Sequence, residues 1–360
     1  MQSLGTRFFW SVLSLLILIS VMLSGCNLNL GASSASDDMK LKVAIDAFSS
    51  SFLPDFVALD KGYFQAQGLT VYPVPFQTEP TSPQMAEAIH SGAIDVAIGG
   101  LVTEAFLVSR IDADLKVIGQ LQVAFPNDII VSNKFLQQTG LSESSPLEAK
   151  VKALVGKKIG VVSTTGQTGA FVSYLFYLFG LNASKDATLV PVGNNVSSAI
   201  AALKSGRVDA LSFFKPTGEA VQLQKVGRML ISPLRGDVPQ LTGHLNSVFY
   251  AKASLIRAKP NTFKALVRAI AMALAFIQKY PDQAAKILQK YTHISDQAAT
   301  AVMQDLRSSY PSSPIVDQQA YNVTAAFDIK AGLLSAVPPF NAIVDTDTAA
   351  QAMQGFTPVV

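Results

Sequence analysis

The sequence predicts an α/β protein made of two similar lobes, and three observations carry that prediction. A helix–turn–strand pattern occurs twice, strands alternate with helices along two stretches, and a run of helices closes the chain. The first copy of the pattern spans residues 85–100. Its apolar residues at helical spacing stop at Ser91 and Gly92, where glycine can take a left-handed cap without a Cβ clash. An apolar run to Gly99 and Gly100 follows, as in a buried parallel strand. The second copy, residues 199–214, shares Ser-Gly-x-aliphatic-Asp and runs into Phe213 and Phe214. Ligands bind beyond the carboxyl ends of parallel strands, so both strand ends are expected to look into one cleft.

Composition bounds the function. A chain of 360 residues, 49% hydrophobic and 15% charged, is globular and long enough for two cores. The net charge is only +3, and no Lys/Arg run exceeds Lys157-Lys158. A nucleic-acid surface needs clustered positive charge, so no such partner is expected. His90, His244 and His293 lie far apart and Cys26 is the sole cysteine, which offers neither a zinc site nor a disulfide framework. No metal and no cofactor are expected.

The first residues read as an export signal. Arg7 is the only charged side chain before Asp37, and residues 8–23 are predominantly apolar. Leu23, Ser24, Gly25 and Cys26 resemble a bacterial lipobox, which implies cleavage before Cys26 and diacylglycerol on its thiol. A plain transmembrane anchor is the alternative, but the run is short of the roughly 20 residues a span needs. Residues 1–25 are thus read as a signal peptide and 26–39 as a lipidated, polar tether. The folded part is expected outside the cytoplasm, anchored to the cell membrane.

The elements follow in order. Residues 41–45 predict a first strand, and Pro54 suits the first turn of the next helix. That helix is expected to carry Phe56, Val57, Leu59 and Phe64 and to close at Gln67 and Gly68. Residues 69–74 form a strand that Pro73 and Pro75 confine to an edge. The first repeat and a strand at 115–120 complete this part. Residues 127–131 leave it for a second lobe with strands at 157–162, 188–192 and 228–231, and residues 246–251 return. The lobes are therefore 40–126 with 246–360, and 127–245, joined by two crossings that act as a hinge. Residues 261–278, 281–291, 295–306 and 317–334 show helical periodicity and are read as support packed on lobe one.

Three segments in this order carry a family resemblance. Lys61, Gly62, Tyr63, Phe64, Gly68, Leu69 and Val71 match a signature kGyFxxxGLxV. Residues 91–97 are similar to the segment sGxiDvai, and residues 154–161 to LkGKkIgv. Together they resemble the nitrate/sulfonate/taurine branch of ABC-transporter solute-binding proteins, the SsuA/THI5/NMT1-like family. The resemblance implies a type II periplasmic-binding-protein fold, a small-molecule ligand between the lobes, and an ABC permease as partner. A monomer is expected. Fungal pyrimidine synthases resemble the same fold but carry a cysteine-rich iron motif, whereas Cys26 stands alone here.

The candidate ligand-binding residues sit at strand ends. Ser163, Thr164, Thr165 and Gly166 follow a strand and open a helix, where unpaired amides and the helix dipole attract anions. An ordinary Ser/Thr cap would look the same, and no Gly-Lys-Ser/Thr makes it a phosphate loop. The resemblance implies that ligand is held here. In lobe one, Asp46 and Phe48 follow the first strand, and Gly99, Gly100 and Thr103 open a facing helix. Two glycines would let a ligand approach the backbone closely. Phe213 and Phe214 are the corresponding candidates in lobe two. Lys215 is either an anion partner or a solvated surface lysine, and Glu104 either a ligand contact or a helix-start charge. Asp95 and Asp209 are read as fixing the repeated turn rather than as an acid/base pair.

No catalytic set is evident, so a binding protein and not an enzyme is expected. The reading is a lipid-anchored solute-binding component of an ABC importer that takes a small organic anion. An aminopyrimidine or other amine-bearing ligand, a solute-sensing lipoprotein and a THI5-like enzyme are the alternatives.

Overall fold

The computed structural model describes residues 38–45, 49–76 and 82–360. The signal segment, Cys26, most of the tether, Asp46 and Phe48 lie outside the described residues. In chain order the elements that frame the site are β1 (Lys40–Ile45), α1 (Leu53–Asp60), β2 (Thr70–Pro75), α2 (Ser82–His90), β3 (Val96–Leu101), α3 (Val102–Ile111) and β4 (Leu115–Val123). There follow β5 (Asn127–Ser132), β6 (Lys158–Val161), α4 (Gln167–Leu178), β7 (Thr188–Pro191), α5 (Val196–Lys204), β8 (Ala210–Phe214), α6 (Thr217–Leu223) and β9 (Gly227–Ile231). The last are β10 (Leu245–Lys252), α7 (Pro260–Lys279), α8 (Pro281–Thr292), α9 (Asp296–Leu306) and α10 (Gln318–Lys330).

Two five-stranded sheets result, ordered β2-β1-β3-β10-β4 and β7-β6-β8-β5-β9. Four strands in each run the same way, and the fourth place in the order is taken by the one reversed strand, β10 in lobe one and β5 in lobe two. Each of those strands has just crossed from the other sheet. The chain leaves lobe one through residues 124–126 and returns through 232–244. Two α/β lobes joined by two crossings are thus the architecture. Pro73 and Pro75 lie on edge strand β2, where a missing N–H costs no ladder bond.

The sequence repeat has a physical basis. The Asp95 carboxylate accepts from the Lys42 amide at 2.8 Å, and Asp209 accepts from Lys158 at 2.9 Å. In return the Asp95 and Asp209 amides donate to the Lys42 and Lys158 carbonyls. Gly92 and Gly206 end the preceding helices at φ 72° and 73°, a conformation that favours glycine. Each aspartate therefore locks a central strand (β3 or β8) to the start of its parallel neighbour (β1 or β6), and both act structurally.

One helix differs from expectation. The segment carrying Phe56 through Phe64 breaks at Gly62, which takes φ 69° and starts a separate turn at Tyr63–Ala66. The run α7 to α9 packs on lobe one, and α7 alone buries Phe263, Leu266, Ile270, Leu274 and Ile277 in its core. Although α7 is long and apolar enough to cross a membrane, two thirds of it is buried by the fold.

The two crossings touch. Phe125 of the first and His244 of the second meet edge to face, with ring centroids 4.9 Å apart, and both pack on Phe327 of α10. Phe171 and Tyr174 of α4 complete this cluster. An aromatic pivot thus links both crossings, lobe two and a lobe-one helix.

Candidate functional site

In lobe one, β1 leads to Ser49, whose hydroxyl caps a single 3-10 turn at Ser50–Phe52. Beside it β3 runs through Gly99 and Gly100 without ending, and α3 begins directly after it. Gly99 has φ 92°, and any Cβ there would collide with the Phe52 ring. A Cβ on Gly100 would meet Glu104 and Tyr250. The close approach that these glycines permit at the Cβ position is therefore made by the protein's own side chains. The Thr103 hydroxyl is likewise committed, donating to Asp328 on α10 at 2.9–3.0 Å. Burial pushes the Asp328 carboxyl up to about 7, and the Thr103 bond only partly opposes this.

In lobe two, β6 ends in the loop of Ser163, Thr164, Thr165 and Gly166. Thr164 and Thr165 are exposed. Their loop is tied down by short-range bonds: the Thr165 amide donates to the Ser163 hydroxyl, and the Val162 amide to the Thr168 hydroxyl at 3.0 Å. Ser212 anchors it further by donating to the Thr168 carbonyl at 2.6 Å. Gly169 lets the loop fold against α4, because a Cβ there would strike the Ser163 and Thr164 carbonyls. Gly166 caps the 12-residue α4 with no side-chain bond. The first-turn amides and the positive end of the dipole are thus presented at a hydroxyl-rich loop, a geometry suited to an anion.

A ladder of side-chain amides joins this helix start to lobe one. Gln167, the first residue of α4, accepts from Asn127 at 3.4 Å and donates to Asn246 at 3.1 Å. Asn246 donates to the Ser51 hydroxyl and to the Gln122 carbonyl oxygen at 3.0 and 2.9 Å. Gln122 in turn donates to Ser309 at 3.3 Å. Asn127, Gln122 and Asn246 are buried, so these bonds replace water and hold the crossing strands in register. The ladder places the Ser163–Gly166 loop at the junction of the lobes. None of its amides stands out in the sequence, since the six members lie on six separate elements.

The end of β8 departs from expectation too. Phe213 is wholly buried with Leu211, Ile200 and Val221 in the core of lobe two, which corrects its assignment to the cleft wall. Phe214 is partly exposed and stacks on it at 4.8 Å. Lys215 is neither solvated nor available to a ligand anion. Its ammonium is buried and bonded to Glu219, lies 3.4 Å from Asp128 and 2.9 Å from Asp305. Burial alone would lower its pKa, but Asp128, then Glu219 and Asp305, outweigh it and raise it above the ordinary lysine value. Burial holds the Asp128 and Glu219 carboxyls above their usual range, with Lys215 opposing. No group of three or more metal-ligating side chains occurs among the described residues.

The model of the NMT1-like family matches residues 37–291, about seven tenths of the chain. The chain belongs to the NMT1-like family. Among curated proteins, the 4-amino-5-hydroxymethyl-2-methylpyrimidine phosphate synthase THI13 of Saccharomyces cerevisiae is 29% identical over 159 residues, 44% of this chain. This match spans 41% of that yeast protein's length. Solved structures similar to this NMT1-like chain include the periplasmic sulfonate-binding protein SsuA of Methylobacillus flagellatus KT. It is 17% identical, with 90% of this chain and 98% of that one covered at a TM-score of 0.67. The periplasmic nitrate-binding protein NrtA of Synechocystis PCC 6803 is 16% identical, with 89% and 90% covered at a TM-score of 0.64. At such identities the likeness establishes the periplasmic-binding-protein fold.

Proposed function

We propose that this chain is the extracytoplasmic, lipid-anchored solute-binding component of an ABC importer and that it binds a small organic anion between its lobes. Residues 40–126 and 246–360 form one jaw and residues 127–245 the other. The observation that carries this reading is the uncapped start of α4, set in an exposed Ser/Thr loop at the meeting of the lobes. Ser163, Thr164, Thr165 and the amides after Gly166 would donate to the anionic group, with Phe214 against its organic body and Asp46 and Phe48 as further candidate contacts. Contacts made to both lobes at once favour the closed arrangement, which is how ligand binding would drive hinge closure. The sulfonate- and nitrate-binding neighbours support an oxyanion. Cys26 would carry the lipid, and a permease on the same membrane would receive the solute.

An amine-bearing ligand is the second reading, favoured by the Glu104 carboxylate, which lies beside Gly100 at the end of β3. A thermal-melt panel separates the two. Aliphatic sulfonates, nitrate and carboxylates should raise Tm, and solution scattering should show a smaller radius of gyration with the stabilising solute. Stabilisation by aminopyrimidines alone would select the second reading, and no stabilisation by any solute would remove both.

A further inference from the structure

Asp305 forms a salt bridge from lobe one to Lys215 of lobe two. It sits at the end of α9, which packs on α6 of lobe two. Its partner Lys215 is held independently of it: Asp128 and Glu219 of lobe two flank the ammonium, and the Lys215 amide donates to the Pro126 carbonyl at 3.2 Å. Lys215 is therefore a preorganised donor whose charge is already compensated within its own lobe. A third carboxylate is not needed to neutralise it.

The two kinds of partner differ in burial. Asp128 and Glu219 are 1% and 5% exposed at the side chain, whereas Asp305 is 45% exposed. Leaving Lys215 would return Asp305 to water at little desolvation cost, while neither buried carboxylate has that option. The surface beside it suits reversible contact. An open groove of about 490 Å³, lined by Asp296, Gln297, Thr300, Ala301 and Gln304 of α9 and by Leu223 at the end of α6, lies beside this contact.

We infer that Asp305 is a positioning residue for the closed arrangement, a latch from lobe one that docks on the preset Lys215 ammonium and releases it when the lobes part. The inference rests on the binding-protein reading for its use in capture, but not for its test. Dyes attached at Glu87→Cys on α2 and Lys204→Cys on α5, in a Cys26→Ser background of the full chain, report the lobe separation by energy transfer without any solute. Asp305→Ala should broaden that distribution toward longer distances, and Asp305→Glu should restore it. With a stabilising sulfonate from the melt panel, Asp305→Ala should raise koff about three- to tenfold and leave kon unchanged. An unchanged distance distribution in Asp305→Ala would overturn the latch. A panel in which no solute binds would instead defeat the binding reading and leave the distance result standing.

Discussion

Asp328 makes the stability of this protein depend on pH in a direction opposite to that of most carboxylates. Its side chain is fully buried on α10 and accepts only the Thr103 hydroxyl among the hydrogen bonds described for it. Burial raises its pKa from 3.8 to about 7 in the folded protein. Between those values the native state holds a proton that the unfolded chain has released, so stability falls as pH rises through that window. The gap of about three pH units, at about 1.4 kcal/mol each, sets an upper bound of about 4 kcal/mol. Asp328→Asn keeps the size and an acceptor for Thr103 but cannot ionise. Urea unfolding at pH 5 and pH 8 should show the parent losing up to about 3 kcal/mol relative to the variant, because about two of those three pH units lie above pH 5, with the variant more stable at pH 8. Equal pH dependence in the two proteins would refute the argument that this buried carboxyl is the source.

Other outcomes follow from the same geometry. His244 is fully buried, its ring nitrogens have no partner among the described residues, and burial lowers its pKa to about 3. His244→Phe should hold the aromatic pivot and raise stability by about 1 kcal/mol in urea unfolding, because a polar ring without partners is removed. Gly99→Ala should cost about 2 kcal/mol or more, since both its φ of 92° and the Phe52 ring forbid a Cβ; Gly92→Ala, with open space around it, should cost nearer 1. Thermal melts of the two variants side by side check that order.

Much of the architecture is legible in local pattern. Asp95 and Asp209 stand out because the same turn is built twice from contiguous residues, and Pro73 and Pro75 mark an edge because a proline lacks the ladder's donor. The helix-opening loop at Ser163–Gly166 is visible for the same reason. The rest depends on which distant segments meet. Lys215 reads as a surface lysine until Asp128, Glu219 and Asp305 close around it, two of them some ninety residues away. Gly99 and Gly100 show no partner in the sequence, and only the fold reveals that Phe52 and Tyr250 meet them at the Cβ position. Gln167, Asn127 and Asn246 are unremarkable polar residues singly, and become a ladder only when both crossings lie side by side. Phe213 and Phe214 are adjacent in sequence, yet strand alternation sends one into the core and leaves the other partly exposed.

The central claim is that an anion binds at the start of α4 between the lobes. Native mass spectrometry of the full chain, incubated in turn with aliphatic sulfonates, nitrate, carboxylates and aminopyrimidines, tests it most directly. The account predicts a one-to-one adduct with an anionic solute that disappears in Thr165→Asp, where a carboxylate would repel the ligand at the helix start. An anion adduct that survives Thr165→Asp, or no adduct with any anion, would contradict it.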